Sequence, residues 1–176
     1  MGEDEFQGRS LAAAKAKRFG AAAPPAQAEA KGHVNDISAK PVVLREAVAE
    51  GFLRLQPATL AALRAGKMPK GDPFPVARVA GILAAKKTPD TIPLCHPIPL
   101  SAIDVDLTAE ERGVRVRATV KAEWRTGVEM EALCAVSAAL LTVWDMAKAL
   151  EKDASGNYPD TAIEAIRVLR KSKGSP

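Results

Sequence analysis

Two segments of this chain combine ionisable side chains with backbone features that hold such groups in place. The first is Leu94-Cys95-His96-Pro97, where the proline disfavours a helical backbone for His96 and fixes its imidazole on an extended strand. The second is residues 126–133, TGVEMEAL, which set Glu129 and Glu131 at the start of a long apolar stretch. A placed imidazole can transfer a proton or contact a phosphate, and carboxylates can serve as acids or bases. The two segments predict a chemically active site.

Two lysines and an aspartate are further candidates. Lys70 lies in a Pro-Lys-Gly-Asp-Pro turn beside a predicted helix N-terminus, where backbone N–H groups favour anions. Asp145 interrupts an apolar run, so its carboxylate needs a partner or a raised pKa. Lys148 follows three residues later on the same helical face, at ion-pair spacing. Taken singly, these residues also fit a solvated turn lysine and a surface ion pair.

The histidine and carboxylate candidates have structural interpretations as well. His96 can be satisfied within a proline-rich loop. Cys95 should point away from His96 on an extended strand, so we interpret it as packing rather than as part of a Cys-His nucleophilic dyad. Thr126 as N-cap and Glu129 three residues later make a capping box, which leaves Glu131 as the carboxylate without a structural explanation.

Composition limits the classes of function. A net charge of +4 on 176 residues suits an anionic small molecule, whereas aromatic residues, at 4%, are scarce for nucleic-acid binding. The cysteines and histidines, with no zinc-like spacing, predict neither a disulfide framework nor a metal site; they are Cys95, Cys134, His33 and His96. Residues 1–5 lack a secretory or lipid-anchor pattern, and the apolar run 132–144 is shorter than the roughly 20 residues of a membrane span. We therefore expect a cytoplasmic protein that binds neither membrane nor nucleic acid.

The elements that position these residues follow from periodicity. Residues 1–31, rich in alanine, are predicted to be a flexible extension, and residues 32–176 a single catalytic domain. Residues 42–55 predict an extended segment, Pro57 opens a short helix that Gly66 can cap, and Asp72-Pro73 starts a second helix. The prolines of residues 89–99 should exclude helix.

The second half of the chain predicts a hairpin, a long helix and a closing strand. Alternation over residues 103–124 predicts a β-hairpin with one buried face. Its other face should pair acidic with basic side chains across the strands; these are Asp104, Asp106, Arg115, Arg117 and Lys121. Residues 128–152 read as a helix whose alanines allow close approach of Gly81, residues 163–168 as a strand, and residues 171–176 as a tail. The pattern indicates an α+β, two-layer domain.

Helix geometry constrains how the candidates can work together. Glu131 and Asp145 lie on one helix, about 21 Å apart along its axis and within about 40° of the same face. One small substrate cannot touch both in a single chain. If both act on it, two subunits must form the site, so we expect an oligomer with interfacial active sites.

Taken together, the motifs resemble one family, the cyclic pyranopterin monophosphate synthases, also called molybdenum cofactor biosynthesis protein C. The match runs from about residue 33 to 173 and leaves residues 1–31 without a counterpart. The matching segments are Asp36-Ile37-Ser38-Ala39-Lys40, Lys70-Gly71-Asp72, Ala77-Arg78-Val79-Ala80-Gly81, Ile92-Pro93-Leu94-Cys95-His96-Pro97, residues 126–133 and Asp145-Met146-Ala147-Lys148-Ala149.

The resemblance implies a ferredoxin-like fold and a homohexamer, built as a trimer of dimers with sites between subunits. It also implies conversion of 3′,8-cyclo-7,8-dihydro-GTP, made from GTP by a radical-SAM enzyme, to cyclic pyranopterin monophosphate and pyrophosphate. No redox cofactor would be required, and Mg²⁺ could accompany the triphosphate. The resemblance carries catalysis onto Lys70, Asp145 and Lys148, and substrate binding onto His96, Cys95, Pro97, Glu129, Met130 and Glu131.

Two other classes of function stay open on the sequence. A catalytically silent nucleotide-binding or scaffold protein would bind GTP analogues without turning them over. A nucleic-acid-binding module would show a steep salt dependence of its affinity.

Overall fold

The computed structural model describes residues 32–175, and the predicted flexible extension, residues 1–31, lies outside them. The four strands form one antiparallel sheet in which β1 and β3 are central. In chain order the elements are β1 (Val43–Arg54), α1 (Pro57–Arg64), α2 (Pro73–Lys86), α3 (Thr88–Thr91), β2 (Ala102–Glu110), β3 (Gly113–Trp124), α4 (Glu129–Glu151) and β4 (Ala162–Lys173), and the strand order across the sheet is β2-β3-β1-β4.

One face of this sheet is covered by helices. Alternate residues of β3 are fully buried on that face, as the period of two in a strand requires; they are Val114, Val116, Ala118, Val120 and Ala122. α4 lies across β1 and β3, and α2 packs beside it. This strand order, with helices on one side, is the ferredoxin-like arrangement. The predicted α+β, two-layer fold is therefore confirmed.

The ends of α1 and α2 follow from local chemistry. Asp72 accepts a hydrogen bond from the Phe74 N–H (3.0 Å) and Pro73 occupies the first turn of α2, so the predicted N-cap is confirmed. Gly66, with φ of 66°, follows the C-terminus of α1 in the left-handed conformation that glycine adopts easily.

Gly81 is the point of closest approach between α2 and α4. A Cβ atom at this position would lie 2.9 Å from the carbonyl oxygen of Ala135, so only glycine lets the two helix backbones come so close. The predicted contact between Gly81 and the alanines of α4 is confirmed. The contact matters for the site, because α2 follows Lys70 and α4 carries Asp145.

α4 has the length and mean hydropathy of a membrane-crossing helix, but these properties also fit a core helix. Ten of its 23 residues are buried. They face the sheet and α2, as expected for the central helix of a two-layer fold.

Two boundaries differ from the sequence predictions. Pro89 does not exclude helix, because it occupies the first turn of α3, where a proline lacks only an N–H that would be unpaired anyway. The closing strand continues to Lys173 instead of ending near Val168, because β4 pairs with β1 as far as Arg45.

The predicted pairing of Asp104 and Asp106 with the basic side chains of β3 is also wrong. Arg117 and Lys121 contact glutamates of β1, and Arg115 donates to Glu110 of β2 at 2.5 and 2.9 Å. Arg117 and Arg115 lie 3.3 and 3.7 Å from Glu50, and Lys121 lies 3.0 Å from Glu46. The reason is topological, since β1 inserts beside β3 and presents its carboxylates to the same face.

We predict that Gly81→Ala lowers the free energy of unfolding by about 1–3 kcal/mol, because the added methyl group must push α2 from α4. Denaturant unfolding measures the effect. The sign of the change distinguishes the two cases. In a helix without this contact, replacing glycine with alanine would raise the free energy of unfolding by about 1 kcal/mol, and such an increase would contradict the close contact.

Candidate active site

Lys70, Asp145 and Lys148 form a lysine–aspartate cluster within one chain. The Lys148 ammonium donates to Asp145 Oδ1 (2.5 Å) and the Lys70 ammonium donates to Asp145 Oδ2 (2.7 Å). Lys148 reaches Asp145 because the two lie three residues apart on α4. The ion pair expected between Asp145 and Lys148 is therefore present, and Lys70 joins it from a separate loop.

A tight turn delivers Lys70 to α4. The Gly71 N–H donates to the carbonyl of Met68 (3.0 Å), and Gly71 has φ of 82°, which glycine tolerates. Met68 is buried and anchors the turn, while the Lys70 side chain remains about half exposed. The ammonium also donates to the Asp145 carbonyl oxygen (3.3 Å), which fixes its position over the helix.

The charges of the cluster stabilise one another. The hydrogen bond from Lys148, and then that from Lys70, lower the pKa of Asp145 to about 2, and Asp145 in turn raises the pKa of Lys148. Asp145 is therefore a carboxylate at neutral pH and a very weak base. Its chemistry is to orient two ammonium groups, each with N–H donors left for a ligand.

A cavity of about 330 Å³ lies at the other end of α4. Three stretches of chain line it: residues 35–40, residues 94–98 and residues 126–131. The first is held in place by Arg125, which donates to the carbonyl oxygens of Ser38 and Lys40. Asn35, Ile37 and Lys40 were not candidate site residues. The signal for Ile37 and Lys40 was the Asp36–Lys40 motif, whose contribution to a cavity depends on the distant Arg125.

His96 is oriented by the backbone of residue 35. Its Nε2 lies 2.7 Å from the carbonyl oxygen of Asn35. A carbonyl only accepts, so Nε2 carries the hydrogen and Nδ1 is left for other interactions. Its half-buried ring lines the cavity, as expected for a substrate contact.

The prediction that Cys95 and His96 face opposite ways on an extended strand is wrong. Residues 92–95 form a turn closed by the Cys95 N–H and the carbonyl of Ile92 (3.0 Å), so Cys95 and His96 both line the cavity. Burial, followed by the charges of Glu131 and Cys134, raises the pKa of the Cys95 thiol. The thiol is thus a poor nucleophile at neutral pH.

Glu129 and Glu131 line the same cavity in contrasting environments. Burial alone would raise the pKa of Glu129, but Lys171 at 2.8 Å, its own N–H and the charge of Arg45 bring that pKa below its usual value. Glu131 is only 2% exposed and its Oε2 has no partner among residues 32–175. Burial, with the charge of Glu129, raises the pKa of Glu131. Two carboxylates whose environments separate their pKa values are suited to different proton-transfer roles.

The predicted capping box is wrong. α4 begins at Glu129, Val128 is the N-cap residue, and no side chain caps the helix. The Glu129 carboxylate contacts Lys171 of β4 instead. With the structural explanation removed, Glu129 is as strong a candidate for a ligand contact as Glu131.

The other two predicted binding residues lie at the rim. Met130 lines the main cavity and is 38% exposed. Pro97 lines a neighbouring cavity of about 210 Å³, and Glu131 borders both. Within residues 32–175, no three His, Cys, Asp or Glu side chains converge where a metal ion could be held.

Comparison with known proteins identifies the family. The model of the MoaC family matches residues 34–174. The chain belongs to the MoaC family. A "Probable cyclic pyranopterin monophosphate synthase" of Sulfurisphaera tokodaii is 57% identical over 138 residues, covering 78% of this chain and 91% of the relative. Proteins of the same name from Archaeoglobus fulgidus and Methanoregula boonei are 51% and 53% identical over 146 residues, covering 83% of this chain and 94% of each relative.

The MoaC match includes both the cluster and the cavity, yet one chain does not join them. No residue of the lysine–aspartate cluster lines the cavity. Glu131 and Asp145 belong to the same continuous helix, so about 21 Å of α4 separates them. A single copy of this chain therefore presents two half-sites.

We predict that Glu131→Gln changes the pH dependence of stability. Folding raises the pKa of Glu131. The stability that this residue contributes is therefore fully present below its pKa in the unfolded chain, and it is lost as pH rises through its pKa in the folded chain. Glutamine does not titrate, so the melting temperature of Glu131→Gln relative to wild type should rise between pH 4 and pH 8. Thermal denaturation measures it, with exposed Glu123→Gln as the control; a difference that stays constant with pH would show that folding does not raise the pKa of Glu131.

Proposed function

We propose that this chain is a cyclic pyranopterin monophosphate synthase, a lyase of molybdenum cofactor biosynthesis. Its substrate would be 3′,8-cyclo-7,8-dihydro-GTP and its products the cyclic monophosphate and pyrophosphate. The observation that carries the proposal is the lysine–aspartate cluster, where one carboxylate holds two ammonium groups at 2.5 and 2.7 Å in a chain that matches the MoaC family from residue 34 to 174.

The cluster suits the phosphate half of the reaction. A sugar hydroxyl attacks the α-phosphorus and releases its proton to water, the P–O bond to the β-phosphate breaks, and pyrophosphate leaves with the bonding electron pair. Lys70 and Lys148 stabilise the charge that develops on the phosphate oxygens or supply a proton to the leaving group. Asp145, with its pKa near 2, keeps both ammonium groups oriented rather than accepting the proton itself.

The cavity suits the ring rearrangement. Hydrolytic opening of the purine-derived ring and reclosure as a pyranopterin need an acid and a base. Glu131, whose pKa is raised by burial, is the acid, and Glu129, whose pKa is lowered, accepts hydrogen bonds from the guanine-derived edge. His96 contacts the triphosphate through Nδ1, since Nε2 is already committed to Asn35. For Nδ1 to donate to a phosphate oxygen, that nitrogen must carry a hydrogen as well.

The active site combines the cavity of one subunit with the cluster of another. The oligomer is a homohexamer, a trimer of dimers, in keeping with two half-sites separated by the length of α4. A stripe on the outer face of α2 supports association, because Val76, Val79 and Leu83 are each at least 50% exposed in one chain. Apolar stripes of this kind mark protein interfaces.

The surroundings of the reaction follow from its chemistry. The rearrangement changes no oxidation state overall, so no redox cofactor is needed, and Mg²⁺ would enter with the triphosphate. A radical-SAM GTP cyclase supplies the substrate. The enzyme acts in the cytoplasm on this small molecule and needs neither membrane nor nucleic acid.

The proposal is tested by incubating the protein with 3′,8-cyclo-7,8-dihydro-GTP and detecting the cyclic monophosphate and pyrophosphate by mass spectrometry. Lys70→Ala and Lys148→Ala should each lower kcat by about 100-fold or more with an unchanged melting temperature. Lys67→Ala, an exposed lysine of the same loop that does not contact Asp145, is the control and should stay active. Turnover by Lys70→Ala or Lys148→Ala close to wild type would refute the assignment.

The oligomer is tested by a charge on the α2 stripe. Val79→Glu should dissociate the assembly and abolish turnover, because a buried unpaired carboxylate is costly at an interface. Light scattering after size exclusion reports the mass, and Lys87→Glu, beyond the end of α2, is the matched control. A Val79→Glu monomer that remains fully active would contradict an active site shared between subunits.

A further inference from the structure

The connection between α4 and β4 carries an aromatic residue to the lysine–aspartate cluster. Residues 153–157 form a closed turn in which Asp153 accepts hydrogen bonds from the N–H groups of Ser155 and Asn157, both at 2.9 Å. The Asp153 N–H donates to the Asn157 carbonyl (3.0 Å), which closes the turn from the other side. Tyr158 directly follows this turn, so the hydrogen bonds of the turn fix the position of its backbone.

Tyr158 packs against the residue that precedes Asp145. Its ring meets the ring of Trp144 edge to face, with centroids 5.9 Å apart and an interplanar angle of 71°. This geometry is favourable for aromatic pairs and fixes the direction of the phenol. Trp144 and Lys148 lie four residues apart on α4, so they share a helical face. The phenol also lies near enough to Lys148 to add to the main effect of Asp145 in raising the pKa of that lysine.

The hydroxyl group itself is uncommitted. Among residues 32–175, the Tyr158 hydroxyl makes no hydrogen bond, and its ring is half-buried. A turn closed by several hydrogen bonds and an edge-to-face ring contact therefore hold a polar group that the fold itself does not use. A phenol hydroxyl can donate a hydrogen bond to a phosphate oxygen beside two ammonium groups.

We propose that Tyr158 is a substrate-positioning residue of the lysine–aspartate cluster, whose hydroxyl donates a hydrogen bond to a phosphate oxygen of the ligand held by Lys70 and Lys148. The proposal rests on the proposed function, because it assumes that this cluster receives the triphosphate. Tyr158 would fix the angle of the phosphate chain while the lysines carry the charge.

Tyr158→Phe tests this proposal, because it removes the hydroxyl and keeps the ring that packs on Trp144. We expect kcat/KM for 3′,8-cyclo-7,8-dihydro-GTP to fall about tenfold or more, as for loss of a hydrogen bond to a charged group, with an unchanged melting temperature. In Asp153→Ala, which opens the turn but keeps the hydroxyl, kcat/KM should fall by a smaller factor. A kcat/KM for Tyr158→Phe within twofold of the wild-type value would overturn the proposal and leave Tyr158 a packing residue.

A second readout does not depend on turnover. Tyr158 is the only tyrosine of the chain, so 3-fluorotyrosine gives a single ¹⁹F resonance. Addition of GTP should shift that resonance in the wild-type protein and not in Lys148→Ala, and calorimetry should give a weaker Kd for GTP in Tyr158→Phe. If the wild type turns nothing over yet shows these two effects, the proposed synthase is wrong and the Tyr158 contact stands. An unmoved resonance in a protein that binds GTP refutes the contact.

Discussion

The stiffness of α4 is the constraint on which the rest of the structure depends. One continuous helix carries Glu129 and Glu131 at its first turn and Asp145 and Lys148 more than three turns later, so their separation is fixed by 1.5 Å per residue. Loops could adjust such a distance, but a buried helix cannot. Each half-site is then completed locally: β4 supplies Lys171 to Glu129, and the turn before α2 supplies Lys70 to Asp145. Gly81 lets α2 lie against α4 closely enough for that second contact.

Burial divides the chemistry between the two ends. At the cavity, desolvation raises the pKa of Glu131 while Lys171 helps to lower that of Glu129, which suits one carboxyl group as an acid and the other as an acceptor two residues away. At the cluster, about half of each side chain is exposed, so the charges stay ionised and ready for an anion. The proposed substrate, a triphosphate attached to a reduced purine, has a polyanionic end and a heterocyclic end. The first would suit the lysine–aspartate cluster and the second the cavity.

Sequence reasoning succeeded where the cause of a structure is local. The N-cap at Asp72, the glycine after α1, the hairpin and the small-residue contact at Gly81 all follow from neighbouring residues or from one periodicity. It failed where a distant strand decides. Glu129 does not cap α4 because its carboxylate pairs with Lys171 of β4, and Arg117 of β3 pairs with Glu50 because β1 lies beside β3. Cys95 faces the cavity because residues 92–95 form a turn, whereas the prolines of this segment predicted an extended backbone.

The central claim is that one active site takes its cavity and its cluster from different subunits, and mixed oligomers test it most directly. Glu131→Ala and Lys148→Ala, each inactive alone, would be dissociated, mixed in equal amounts and reassembled. Random pairing in a symmetric oligomer should restore about a quarter of wild-type turnover, because some interfaces then receive an intact cavity from one chain and an intact cluster from the other. A mixture that remains as inactive as its two components would contradict a shared site.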